Sequence, residues 1–178
     1  MTPMARKSSE PKKRRALYLV RHAIADQRGD AWPDDTKRPL TSKGAARFRK
    51  VVRGLRQLNV TVDLVLTSPL VRARQTADIL ADGLEPTPTI AVTAALSPGS
   101  TPAQTAEALG PFRTARRIAL VGHEPGLGEL AAWLIGASAP IVFKKGGVCR
   151  IDAPAAPPQG SGRLVWHATP RLLKKIAD

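Results

Sequence analysis

The chain has 178 residues, 43% of them apolar but only 4% aromatic, and a formal charge of +14. That length suits one globular domain with a core of Val, Leu, Ile and Ala, and no apolar run approaches the roughly 18 residues needed to cross a bilayer. The apolar piece ALYLV behind the basic start is too short for a secretory signal core, and a lone cysteine, Cys149, excludes an intrachain disulfide, so the cytoplasm is the expected location.

Arg6, Lys7, Lys12, Lys13, Arg14 and Arg15 crowd the first fifteen positions beside Ser, Pro and Glu. Such a segment buries too little apolar surface to order itself. Residues 1–15 are therefore expected as a disordered basic tail, and residues 16–178 as a single domain. The charge of residues 6–15 suits contact with nucleic acid or another polyanion. A solvated tail with no dedicated partner is the plainer reading.

ALYLVR (16–21) reads as a buried strand, continuous and apolar until its charged end. Residues 25–40 are rich in Asp, Gly and Pro and predict a loop. Thr41 or Ser42 caps a helix running to about Leu58, with Phe48, Val51, Val52, Leu55 and Leu58 on its apolar face. VDLVLTS (62–68) is a second buried strand; Pro69 then opens a helix that ends near Gly83. A short strand at Thr89–Val92 and a helix from Thr101-Pro102 to about Leu109 follow. ARRIALVGH (115–123) is the next clear strand, and PGLGELAAWLIG the helix after it. VFKKGGVCRID and GRLVWHA predict two further strands in a hairpin, joined by the mobile loop APAAPPQGS. Cys149 reads as a small strand side chain rather than a nucleophile. Strands alternating with helices imply a mostly parallel central sheet covered on both faces, a three-layer α/β/α sandwich.

In open α/β sheets, ligands bind beyond the carboxyl ends of the strands. Arg21 and His22 close the first strand, Ser68 to Arg72 lie just past the second, and His123 closes the strand at 115–123. Sequence-distant histidines and arginines thus meet on one rim. Arginine holds phosphate oxygens with planar, paired donors and stays charged. A neutral imidazole is a competent nucleophile near neutral pH. Either group alone is weak evidence; together they point to phosphoryl chemistry.

Four segments, LYLVRHAIA, RPLTSKGAARF, LVLTSPLVRARQTA and ALVGHEPGL, occur in this order. In them the sequence resembles the histidine phosphatase superfamily, with its phosphoglycerate mutase-like fold, and within it the SixA-type phosphohistidine phosphatases. The resemblance runs from about Leu17 to Ile135, with a weaker echo in VWHATPRLLKKI. It implies that His22 is the nucleophile, that Arg21 and Arg72 bind the phosphoryl oxygens, and that His123 completes the pocket as a donor. It also implies that Arg38 reaches the phosphate and that no metal or other cofactor is used. The histidines and Cys149 independently lack zinc-like spacing.

Many members carry an acidic residue that protonates the leaving group. The corresponding stretch here, VTAALSPGSTP, has no carboxylate, which leaves Glu124 and Asp26 as candidate acids. An imidazole departs from phosphorus far more easily than an alkoxide. The missing acid therefore favours a phosphoramidate over an ordinary phosphomonoester. The lack of the long inserts of larger relatives implies an open rim that would admit a protein-borne phosphohistidine, as it would other exposed phosphates. Small phosphomonoesters or polyphosphate-like substrates are the alternative within enzymes, and a non-catalytic phosphate-binding module the alternative outside them.

Overall fold

Strand β1 (Arg15–Arg21) is central because nearly all of it can be buried. Leu17 and Leu19 point to one face of the sheet, and Ala16, Tyr18 and Val20 to the other, as the two-residue period of a strand requires. The computed structural model describes residues 14–178. Its sheet also contains β2 (Leu64–Thr67), β3 (Thr89–Val92), β4 (Arg117–Gly122), β5 (Val148–Ala153) and β6 (Arg163–Ala168), in the order β3-β2-β4-β1-β5-β6. The first four strands run parallel, while β5 and β6 are antiparallel additions beside β1.

Among the described residues five α-helices close the two faces: α1 (Ser42–Gln57), α2 (Val71–Asp82), α3 (Pro102–Ala108), α4 (Gly126–Ile135) and α5 (Pro170–Ala177). Phe48, Val51 and Leu55 of α1, Ala73, Ala77 and Leu80 of α2 and Leu173 of α5 cover the Tyr18 side. Leu127, Leu130 and Leu134 of α4 cover the Leu17 side, where α3 packs on α4. This is the expected three-layer sandwich with a mostly parallel sheet. Among the described residues no helix is long and apolar enough to cross a membrane.

Three expectations need correction. Arg15 is the first residue of β1 with only 1% of its surface exposed, and Arg14 donates to the Asp152 and Ser161 carbonyls. The first strand thus begins before residue 16, and Arg6, Lys7, Lys12 and Lys13 of the expected tail lie outside the described residues. The hairpin's first strand begins only at Val148, because residues 144–147 form a turn in which Gly146 takes φ +80° and donates to the Arg21 carbonyl. The loop before β6 is pinned to the end of α4: Gly160 and Gly162 donate to the Trp133 and Leu134 carbonyls at 2.9 and 2.7 Å. Helix α5 had no counterpart in the sequence reading. Cys149 is fully buried in β5, and burial pushes its thiol up to about 12, so it is no nucleophile.

Gly54, out of place in a helix by propensity, is explained by α5. A Cβ there would stand 2.0 Å from the Leu173 carbonyl oxygen. Gly54→Ala forces α1 and α5 apart and should cost about 2 kcal/mol, as overpacking does, read as a lowered urea midpoint. An unchanged midpoint would mean that the two helices do not cross this closely.

Candidate active site

The β1–β4 ladder pairs Arg21 with Gly122, so the next residues, His22 and His123, leave the sheet side by side. The His22 amide still donates to the Gly122 carbonyl at 3.0 Å, and the two imidazoles stand with centroids 5.1 Å apart. Ser68 arrives from the neighbouring strand, its amide bonded to the Val121 carbonyl, and its hydroxyl lies 2.9 Å from His123 Nε2. Thr76 of α2 ties the turn after His22 in place. Its hydroxyl accepts from the Ala23 amide at 3.0 Å and donates to the Arg72 carbonyl at 2.7 Å.

The His22 Nδ1 contacts the Ala23 carbonyl at 2.7 Å. A carbonyl only accepts, so Nδ1 carries the proton and Nε2 keeps its lone pair. His22 is 6% exposed. Burial is the main reason its pKa falls to about 4; the Ala23 hydrogen bond opposes this, while the charges of Arg72, Arg21 and Lys145 lower it further. His123 is lowered to about 3, chiefly by burial and then by His22 and Arg72. Both rings are therefore neutral at ordinary pH.

Around them stand the arginines. Arg72, in the first turn of α2 and 2% exposed, donates from Nη1 to the Asp35 carbonyl at 2.8 Å and from Nη2 to its carboxylate at 3.0 Å. Arg38 reaches the same carboxylate from Nε at 2.7 Å and the Asp26 carbonyl from Nη1 at 2.7 Å. Arg28 adds a third, exposed contact. Asp35 is held down to about 2, mainly by the Arg38 hydrogen bond. Arg21 donates to the Phe143 carbonyl at 2.6 Å. Among the described residues, three polar atoms at this rim are buried without a hydrogen-bond partner: Arg21 Nε, Arg72 Nε and His123 Nδ1. Buried donors are rarely left so, and an oxyanion would satisfy them.

The structure thus brings His22 and His123 together, and gathers Arg38 and Arg72 on one carboxylate. Glu124 turns out otherwise than expected of an acid. Its two carboxylate oxygens accept from the Phe143 and Gly128 amides at 2.6 and 3.1 Å, so it anchors the segment that holds Arg21. Asp26 is half-buried in the loop, bonded through its backbone, with no hydrogen bond to its carboxylate among the described residues. Asp35 and Thr76 were missed. The Asp35–Arg38 spacing of three residues was the only available sign of the former. Among the described residues no three His, Cys, Asp or Glu side chains are placed to share a metal ion.

The buried neutral histidines carry a pH signature. Above the ordinary histidine value of 6.5, folded and unfolded chains both hold His22 neutral. As pH falls from 6.5 toward 4, the unfolded chain takes up a proton that the folded site excludes. Stability is therefore lost through that window, by about 3 kcal/mol for His22 alone. Urea unfolding compared with His22→Gln, which cannot titrate, should show this slope; parallel profiles would put the ring in water.

Comparison with known proteins agrees with this geometry. The model of the histidine phosphatase superfamily (branch 1) matches residues 17–97, a span that includes Arg21, His22, Arg38 and Arg72. An uncharacterized protein of Picosynechococcus sp. is 43% identical over 117 residues, 65% of this chain and 70% of that protein. Phosphohistidine phosphatase SixA of Escherichia coli is 26% identical over 167 residues, covering 89% of this chain and 96% of SixA. The structure of the protein histidine phosphatase SixA complexed with tungstate superposes with a TM-score of 0.78 at 24% identity, over 88% of this chain and 97% of that one; at that identity it speaks for the fold. Motifs, sheet and sequence relatives converge, and the chain belongs to the histidine phosphatase superfamily, as a phosphatase of the SixA type.

Proposed function

We propose that the protein hydrolyses phosphohistidine carried on another protein, through a phosphoryl group held transiently on His22. The observation that carries this is the His22 tautomer: Nδ1–H is committed to the Ala23 carbonyl at 2.7 Å, which leaves Nε2 unprotonated beside buried, cationic donors. Nε2 attacks phosphorus, a new P–N bond forms, and the substrate's P–N bond breaks with its electron pair passing to the departing imidazole. That imidazole takes a proton from solvent. Water then attacks the phosphoryl-His22, orthophosphate leaves, and the ring returns to its neutral form. Arg72, Arg38 and Arg21 bind the equatorial oxygens, where charge gathers in the transition state.

His123 is a donor in this scheme. The Ser68 hydroxyl accepts from the Leu70 amide at 3.3 Å and lies 2.9 Å from His123 Nε2; with the hydroxyl hydrogen given to Nε2, the ring's proton sits on Nδ1, which is buried without a partner among the described residues. Of the two candidate acids, Glu124 has both carboxylate oxygens engaged by backbone amides. That supports a phosphoramidate, whose leaving group needs little help. Asp26 is the one observation favouring a phosphomonoester, since its half-buried carboxylate is engaged by no hydrogen bond among the described residues.

A substrate panel tests the choice. Free phosphohistidine should be turned over with kcat/KM at least about tenfold above phosphoserine, whose alkoxide leaving group needs a proton, and Asp26→Asn should leave the former unchanged. A preference for the ester that Asp26→Asn abolishes would move the assignment to phosphomonoesters. Radiolabelled phosphate trapped on His22 by acid-free quenching would set aside a pure binding module.

A further inference from the structure

Beside the histidines, on the α1–α5 side of the sheet, runs a groove of about 610 Å³. Its inner end is Arg21; its rim carries Arg47 of α1, Lys144 and Lys145 of the turn before β5, and Arg171 and Lys174 of α5. No carboxylate of the described residues lines it, and its floor is apolar, made by Ala23, Phe48, Val51 and Pro170. On the far side of Arg47, Arg171 and Lys174 lies a second depression of about 380 Å³, which adds Lys43, Lys50 and Lys175 against the single carboxylate of Asp178. Among the described residues none of these cations, Arg21 included, forms an ion pair, whereas Arg72 and Arg38 at the site do.

Uncompensated like charge repels itself and is retained here without an internal partner, in a row that starts at the phosphoryl site and runs out along α1 and α5. We infer that this groove docks an acidic segment of the phosphorylated protein substrate, with acidic side chains on the cationic rim and intervening apolar ones on the Phe48–Val51 floor. The inference rests on the proposed protein-borne substrate and adds where its protein portion binds. A compact small anion would need one or two cations. The row here follows two helices away from the histidines and has an apolar floor, which suits a chain of alternating acidic and apolar residues. Electrostatic docking of this kind speeds encounter and weakens with salt.

Two measurements on the full chain test it. The first is fluorescence anisotropy with a labelled, unphosphorylated peptide of alternating Glu and Leu, against the same peptide with Lys for Glu. The acidic peptide should bind and the basic one should not, with affinity falling as salt rises. Arg47→Ala combined with Lys174→Ala, both at the helix surface, should weaken binding by about tenfold or more. The second compares turnover of a phosphohistidine placed in the acidic peptide with that of free phosphohistidine. The double variant should raise KM for the peptide by about the same factor, leaving kcat and the turnover of free phosphohistidine within about twofold. Equal binding of the two peptides, or a double variant that keeps the acidic preference, overturns the inference. So does tight binding of inorganic polyphosphate, abolished by the same variant, when the acidic peptide does not bind. If the acidic peptide binds and the variant releases it, but no phosphohistidine is hydrolysed, the docking groove stands and the phosphohistidine assignment falls.

Discussion

His22→Ala is expected to lower turnover of free phosphohistidine by at least about 10³-fold, because it removes the atom to which phosphorus is transferred rather than one that steadies the transfer. The fold should survive the change. His22 Nδ1 bonds only to its neighbour's carbonyl, and the backbone contact to Gly122 does not involve the side chain. Loss of a buried imidazole that resists protonation also relieves the acid sensitivity described above. The variant should therefore be inactive, folded, and unable to accumulate label. Turnover near that of the parent in a sample with intact thermal unfolding would remove His22 from the mechanism and leave the arginines as a binding site only.

Arg72→Ala should be the next most damaging change, lowering kcat by about 10²–10³-fold, the usual loss when one preorganised donor to a developing oxyanion is deleted. Arg72 is 2% exposed and its Nε is a buried donor with no partner, so no solvent-borne cation replaces it. Arg72→Lys keeps the charge but not the planar pair of donors, and should recover only part of the rate. The control is Asp35→Ala. Arg72 holds Asp35 through two hydrogen bonds, so a loss that came only from freeing the 26–40 loop would appear in both variants. If the phosphoryl group is what Arg72 serves, Asp35→Ala retains much more activity, since Arg72 and Arg38 keep their charge. Equal losses in the two would make Arg72 a loop anchor.

The strands were legible because a parallel sheet buried on both faces demands unbroken apolar runs, and ALYLV and LVLT are such runs. From them followed the positions of His22 and His123, since a residue at the carboxyl end of a central strand has nowhere else to go. Arg38 was reached only through its resemblance to a known motif. Nothing local distinguishes an arginine in a polar loop that folds back onto α2 from one that faces water. Asp35 was hidden for the same reason: its partner Arg72 is 37 residues away. The part played by Glu124 was not legible, because adjacency to His123 in sequence says nothing of direction; its carboxylate accepts from the Phe143 and Gly128 amides. The basic groove needs α5 laid against α1, and α5 is too short to announce itself by periodicity.

The pairing of Arg21 with Gly122 also limits how such an enzyme can change over generations. The separation of the two imidazoles is inherited from strand alignment, which moves only in whole steps of about 3.3 Å, each step exchanging every core side chain with the opposite layer. Gradual tuning of that separation is closed to selection. New substrate preferences must arise in the surrounding loops and helix ends, around a pair of rings that stays where the sheet puts it.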